Sequence, residues 1–361
     1  MRIRVVSTAA VALILSLLAP LPGQAAGPTT AKMTVVVDGL NNPRQLSLGP
    51  DGALYVAEAG RGAEDPDHAP CAELGMGTTC YGMTSSVSRV DRPWRTHDAA
   101  PRRIVTGLLS GSEPDGSGAG GVSGISVDAR NRIYAVATYV RPDLLPGPAA
   151  AAQNGQLLRL RVGAPAKGVL DLAAVELNQN PDGEDVNPNP YSILALPDRQ
   201  IVADAGANAL YEVRGGRARV LTVFPSHDGG QSVPTAVTLG PGGDYYVSEL
   251  LGFSATPGSS RVYRVARDGH IVSWQGGFSN ATGLAFGRDG SLYVAELFAG
   301  ALVKVRPDGS RTELAVPAPT GVATDHRGNV YVSVGSMSSG NGGTGPDGQP
   351  AVAGAVWRLC F

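Results

Sequence analysis

Short runs of apolar and β-branched residues alternate with turn residues along nearly the whole chain, most clearly between residues 278 and 316. There Asn280-Ala281-Thr282-Gly283-Leu284-Ala285-Phe286 leads into a turn at Arg288-Asp289-Gly290, and Leu292-Tyr293-Val294-Ala295-Glu296 follows. Ala301-Leu302-Val303-Lys304-Val305, a turn at Arg306-Pro307-Asp308-Gly309 and a last run over 311–316 complete the unit. Each run has the length of an ordinary strand, and Asp-Gly is a strong hairpin signal. The segment therefore predicts a four-stranded antiparallel meander.

The second run of that meander recurs in looser form. Six such segments stand at 54–58, 133–137, 200–204, 245–249, 292–296 and 330–334. Meanders repeated at intervals of roughly 40 residues are the mark of propeller blades. The pattern predicts an all-β, six-bladed β-propeller with four-stranded antiparallel blades. The last blade lacks a strand, because the chain ends just after its third strand at 355–359. An orphan strand, Thr34-Val35-Val36-Val37-Asp38, precedes the first blade. Pairing these two would close the ring and cover an open sheet edge.

Spacing between the repeats is uneven. The links from second to third strand are long in blade one (59–86), blade two (139–155), blade four (250–260) and blade six (335–354). In an up-and-down meander these links share a face with the connections between blades, so one face should carry the insertions and the other only hairpins. Long loops on a rigid frame are where function concentrates. That face also receives many acids, among them Glu64, Asp65, Glu113, Asp182 and Asp228, with Glu58, Asp204, Glu249 and Glu296 at strand ends. An acidic mouth would favour cations. The four strand-end acids are expected to accept hydrogen bonds from loop groups of their own or a neighbouring blade.

Composition narrows the class. The chain has 361 residues, 49 Gly, 27 Pro, three Cys and a net charge of −2, which fits one turn-rich β domain and argues against nucleic acid. Arg2 and Arg4 precede an apolar run from Val5 to Leu18, then Pro20, Pro22 and small residues up to Ala25. This reads as a signal peptide over 1–25 with cleavage near Ala25, a short linker over 26–33 and a single propeller over 34–361. The mature chain is expected to be secreted, monomeric and without a membrane span. In an exported protein Cys71 and Cys80 are expected to form a disulfide across a Gly-rich loop, leaving Cys360 as a buried free thiol.

Several strings then stand in a telling order. They are Asn42-Pro43-Arg44, Asn189-Pro190-Tyr191, Val202-Ala203-Asp204-Ala205-Gly206-Ala207-Asn208, Val233-Pro234-Thr235 and Tyr246-Val247-Ser248-Glu249-Leu250. This order resembles the ScyD/ScyE family of exported bacterial proteins, over nearly all of the mature chain, and the single blades resemble NHL repeats. The resemblance implies a secreted propeller and brings no activity with it.

Every inner strand should start at the loop-rich mouth of the central channel. Aligned, the blades place Asn42, Asn189 and Asn280 at one position, with Arg44, Tyr191, Thr235, Thr282 and Thr320 two places on. Such a ring of amide and hydroxyl groups is a candidate site for a polar ligand or for Ca²⁺, which takes oxygen ligands. Glu249 and Glu296, on adjacent blades, are the acids that could join it. His227-Asp228 before the fourth blade is a candidate general base or ligand pair. His97, His270 and His326 fall on hairpins of the opposite face, and no nucleophile elbow or zinc spacing occurs.

These features favour a secreted binding or scaffold module whose loop-rich face takes a small polar molecule or a protein. The alternative is an enzyme at the channel mouth, either a Ca-dependent lactonase or a quinoprotein sugar dehydrogenase. The first needs inner-strand acids, and the second needs several basic contacts to an acidic cofactor. Only Arg44 is basic there.

Overall fold

The computed structural model describes residues 32–74, 77–252, 256–337 and 353–360. The leader expected over 1–25 lies outside them. Alternating apolar residues give short strands, and Asp-Gly and Gly-Gly turns fold them back, so each blade is an antiparallel sheet. Blade five, for example, runs Ala281–Phe286, Leu292–Glu296, Ala301–Val305 and Arg311–Ala315 in spatial order. Six sheets of this kind form a six-bladed β-propeller.

The ring closes as the orphan strand requires. Lys32–Leu40 pairs antiparallel with Gly354–Cys360, with Val35 opposite Trp357, and becomes the outer strand of the sixth blade. Its Val36 and Val37 are fully buried, in one cluster with Tyr331 and Val356 of the sixth blade and Leu46 and Val56 of the first. The core as a whole lies between neighbouring blades. Tyr134 and Val136 of the second, for instance, pack with Val202 and Tyr211 of the third. Burying each such side chain stabilises the ring by about 1.5–3 kcal/mol.

The first-blade insertion is more ordered than its Gly content suggests. Its third strand spans Gly77–Val90 and pairs with Cys71–Leu74 on one side and Arg103–Ser112 on the other. Cys71 and Cys80 are joined by a disulfide. The second-blade insertion, with the short helix Pro148–Ala151, sets Val140, Leu144 and Ala150 against Tyr81 and Leu109 of the first. Cys360 is exposed, not buried. It follows the buried Leu359 at the end of the strand, with its side chain on the solvent side.

Candidate ligand site at the channel mouth

Four of the six inner strands are approached in the same way. The residue that begins the approach turns the chain through left-handed backbone, with φ of 49° at Asn42, 53° at Val233, 51° at Asn280 and 40° at Ala318. Asn suits this conformation better than most residues. Asn42 Nδ2 donates to the carbonyls of Gly60 and Gly116, both at 2.9 Å, and Asn280 Nδ2 donates to those of Leu250 and Gly252, both at 3.0 Å. These two side chains brace the neighbouring loops and do not line the cavity. Asn189 does stand on the cavity wall.

Two residues further on, the hydroxyls link blade to blade. Thr235 donates to the carbonyl of Ala281 at 2.7 Å, Thr282 to that of Pro319 at 3.1 Å, and Thr320 to that of Pro43 at 3.0 Å. Each bond reaches the next blade, the last one across the closure of the ring. Tyr191, Thr235 and Thr282 form the polar floor of a cavity of about 530 Å³ on the loop-rich face. Below it the channel continues as a cavity of about 240 Å³, where the same three residues are joined by Thr320. Gln45 reaches across that channel, accepting from the backbone N–H of Ile125 and of Ile193, both at 3.2 Å.

The upper cavity is walled by connections from all around the ring. Leu74 and Thr79 come from the first-blade insertion, Gly118–Gly120 and Asn187 from links between blades, and Leu250, Phe298 and Met337 from blades four to six. Leu74 and Phe298 are 47% and 48% exposed, so the rim is apolar and open. Gly206 closes one side. A Cβ there would stand 1.5 Å from the carbonyl oxygen of Asn187, so only glycine allows the two backbones this close.

One cation stands on this wall. Arg44 is 6% exposed, and its guanidinium donates to the carbonyl of Ala119 at 2.6 Å and to that of Ser336. Burial holds its pKa below the ordinary arginine value. Glu113 is the one carboxylate on the wall among the described residues, and it is exposed. The acid-rich loops therefore do not make the deep part of the mouth acidic, contrary to the charge count along the chain.

The strand-end acids turn inward instead. Glu58 accepts from the Asn41 N–H at 2.8 Å, from Ser86 and Ser88, and pairs with Arg103 at 2.8 Å. Asp204 accepts the N–H groups of Asn189, Gly206 and Ala207 through Oδ1, and burial pushes it up to about 6. Glu296 accepts from the Ser279 N–H at 3.0 Å and is pushed up to about 7, again by burial. These acids hold loops in place.

Glu176 was not legible as a site residue. It sits on the helix Ala173–Gln179, fully buried, and accepts from the Asn187 N–H at 2.6 Å, while burial pushes it up to about 7. Glu176 and Asp204 thus hold Asn187 and Asn189, both on the cavity wall. The only hint in the sequence is a single acid within the apolar run Ala173-Ala174-Val175-Glu176-Leu177.

His227 is drawn out of reach of the cavity. Its Nε2 lies 2.6 Å from Glu249 Oε1 and its Nδ1 3.0 Å from Asp228 Oδ2. Glu249 also accepts from Ser232 at 2.7 Å. With a carboxylate at each nitrogen, the imidazole has no free lone pair for a substrate proton, so this arrangement does not suit a general base. The groups considered for Ca²⁺ do not converge either, since Asn42 and Asn280 donate their amide N–H groups to backbone carbonyls, Asn42 Oδ1 accepts from the Ala119 N–H at 3.4 Å, Glu249 meets His227 and Glu296 accepts from the Ser279 N–H. Among the described residues, no group of three or more His, Cys, Asp or Glu side chains is placed to hold a metal ion.

Neither a protein-family model nor a curated protein matches the chain. Solved structures do. A gluconolactonase from Xanthomonas campestris is similar at 13% identity over 91% of this chain and 89% of its own, with a TM-score of 0.50. Virginiamycin B lyase from Staphylococcus aureus is similar at 12% identity over 92% of this chain and 99% of its own, with a TM-score of 0.49. At such identities the likeness is one of fold.

Proposed function

We propose that this chain is a ligand-binding propeller whose loop-rich face receives a small molecule in the channel-mouth cavity. The observation that carries this reading is the convergence of connections from around the ring on one cavity of about 530 Å³. That volume falls within the range of ordinary small-molecule sites, and apolar walls above a few polar groups are their usual chemistry. The hydroxyls of the floor offer hydrogen bonds, and Leu74 and Phe298 offer an apolar rim. A catalytic role has less support, because His227, considered as a general base, has both ring nitrogens taken by Asp228 and Glu249. We read the protein as an exported monomer of the ScyD/ScyE type, a reading with which the Cys71–Cys80 disulfide is compatible.

The test is a fragment screen by ligand-observed NMR on the wild type and on Thr79→Trp, which puts a large ring on the cavity wall. Hits that vanish in the variant support the site. Hits that bind both proteins equally place recognition elsewhere.

A further inference from the structure

Arg44 presents a problem in electrostatics. Its guanidinium is buried, and its two hydrogen bonds go to the backbone carbonyls of Ala119 and Ser336, which are dipoles and not charges. Among the described residues no carboxylate pairs with it, although Glu58, Asp204, Glu249 and Glu296 all stand at strand ends of the same face. A desolvated cation whose neighbours are two carbonyls and the Tyr191 side chain, with no carboxylate among them, is poorly compensated. The planar guanidinium also carries more N–H groups than these two bonds use, in a fork that matches a carboxylate.

The surroundings say what could supply the missing charge. Arg44 stands on the cavity wall, and so do Ala119 and Met337, next to the two carbonyls that it holds. The head of the site is therefore open to a ligand from the mouth. Around it lie Val233, Leu250, Leu297 and Phe298, all apolar. Glu113, the other charged wall residue, is exposed, where solvent and salt screen its repulsion.

We propose that the cavity takes an amphipathic carboxylate, with the carboxylate on Arg44 and the apolar body against Leu250, Leu297 and Phe298. This rests on the reading of the cavity as the binding site. Arg44 would then do two things, tying the links at Ala119 and Ser336 together and completing its own charge with the ligand.

Titration calorimetry with octanoate, octanamide and octylamine separates the possibilities, since the three share a chain and differ in the head. Octanoate is expected to bind at least about tenfold more tightly than octanamide, a typical margin for a charge-assisted pair at a partly buried site. That margin should shrink to under about threefold in Arg44→Gln, and octanoate binding should be lost in Thr79→Trp. If Arg44→Gln does not fold, the wild-type series still decides the ligand class. Equal binding of octanoate and octanamide, both lost in Thr79→Trp, overturns the carboxylate inference and leaves the cavity reading standing. An octanoate preference untouched by Thr79→Trp overturns both. No binding of any of the three overturns the inference, and the fragment screen then decides the cavity.

Discussion

His227 Nε2 lies 2.6 Å from Glu249 Oε1, and burial holds the Glu249 carboxyl above its usual range. The pair ties the loop before the fourth blade to the end of that blade's second strand. The histidine side chain is only 10% exposed and the carboxyl wholly buried. His227→Ala should therefore leave a buried acid with a lost partner, costing on the order of 2–4 kcal/mol. Urea denaturation checks this. A variant as stable as the wild type would show the pair to be ornamental.

The buried acids set the sign of a pH dependence. Glu176 stands at about 7 and Asp204 at about 6, both raised by burial, with Asp182 as a neighbouring charge that raises each and Asp204 as one that raises Glu176. Unfolded, these acids titrate near 4, so between about pH 4 and pH 7 the folded chain binds more protons. Their contribution is fully present below the unfolded value and is lost as pH rises through the folded one. Asp128, Asp289 and Asp325, held below the usual range, act in the opposite direction at lower pH. The comparison with Glu176→Gln isolates the effect. The variant should gain about 1–3 kcal/mol on the wild type between pH 5 and pH 8, followed by melting temperature at each pH. A variant that loses stability relative to the wild type as the pH rises contradicts the assignment.

Closure of the ring depends on the strand Lys32–Leu40. Val36 is fully buried between the sixth blade and the first, so Val36→Asp should cost about 3 kcal/mol or more and broaden or abolish cooperative unfolding. Met33→Asp, on the same strand but 49% exposed, should change stability by less than about 0.5 kcal/mol. Equal effects in calorimetry would show that this strand does not close the ring.

The Cys71–Cys80 disulfide braces a wall of the cavity, since Leu74 and Thr79 lie inside the loop that it closes. A loop of this size is stabilised by at most about 3 kcal/mol in the chain-entropy account. Cys71→Ser/Cys80→Ser should therefore leave the propeller folded while weakening ligands bound at the mouth, read as a change in affinity with little change in far-UV spectrum. Global unfolding of the double variant would contradict a local role.

The architecture was legible because its causes are local. Runs such as Leu292–Glu296 and turns such as Asp289-Gly290 state strand and hairpin within a few residues, and their recurrence counts the blades. The closing strand was legible for a related reason, as a strand signal at 34–38 with no partner nearby. The site was not, because burial and pairing are set by residues far apart in sequence. Asn42 and Asn280 align with Asn189, yet their amides turn to backbone carbonyls of links that no spacing reveals. Glu249 meets His227 across 22 positions, and Arg44 meets the Ser336 carbonyl across 292. Counting acids along the loops likewise says nothing about which of them face the cavity.

The central claim is that recognition happens at the channel mouth, and the methionine methyls report on it directly. Met337 lies on the cavity wall, whereas Met33 is on the outer strand of the sixth blade. In protein labelled with methyl-¹³C methionine and titrated with octanoate, the account predicts a saturable shift of the Met337 resonance with Met33 unmoved, abolished in Thr79→Trp. A Met33 shift of the same size, or a Met337 shift that survives Thr79→Trp, would contradict it.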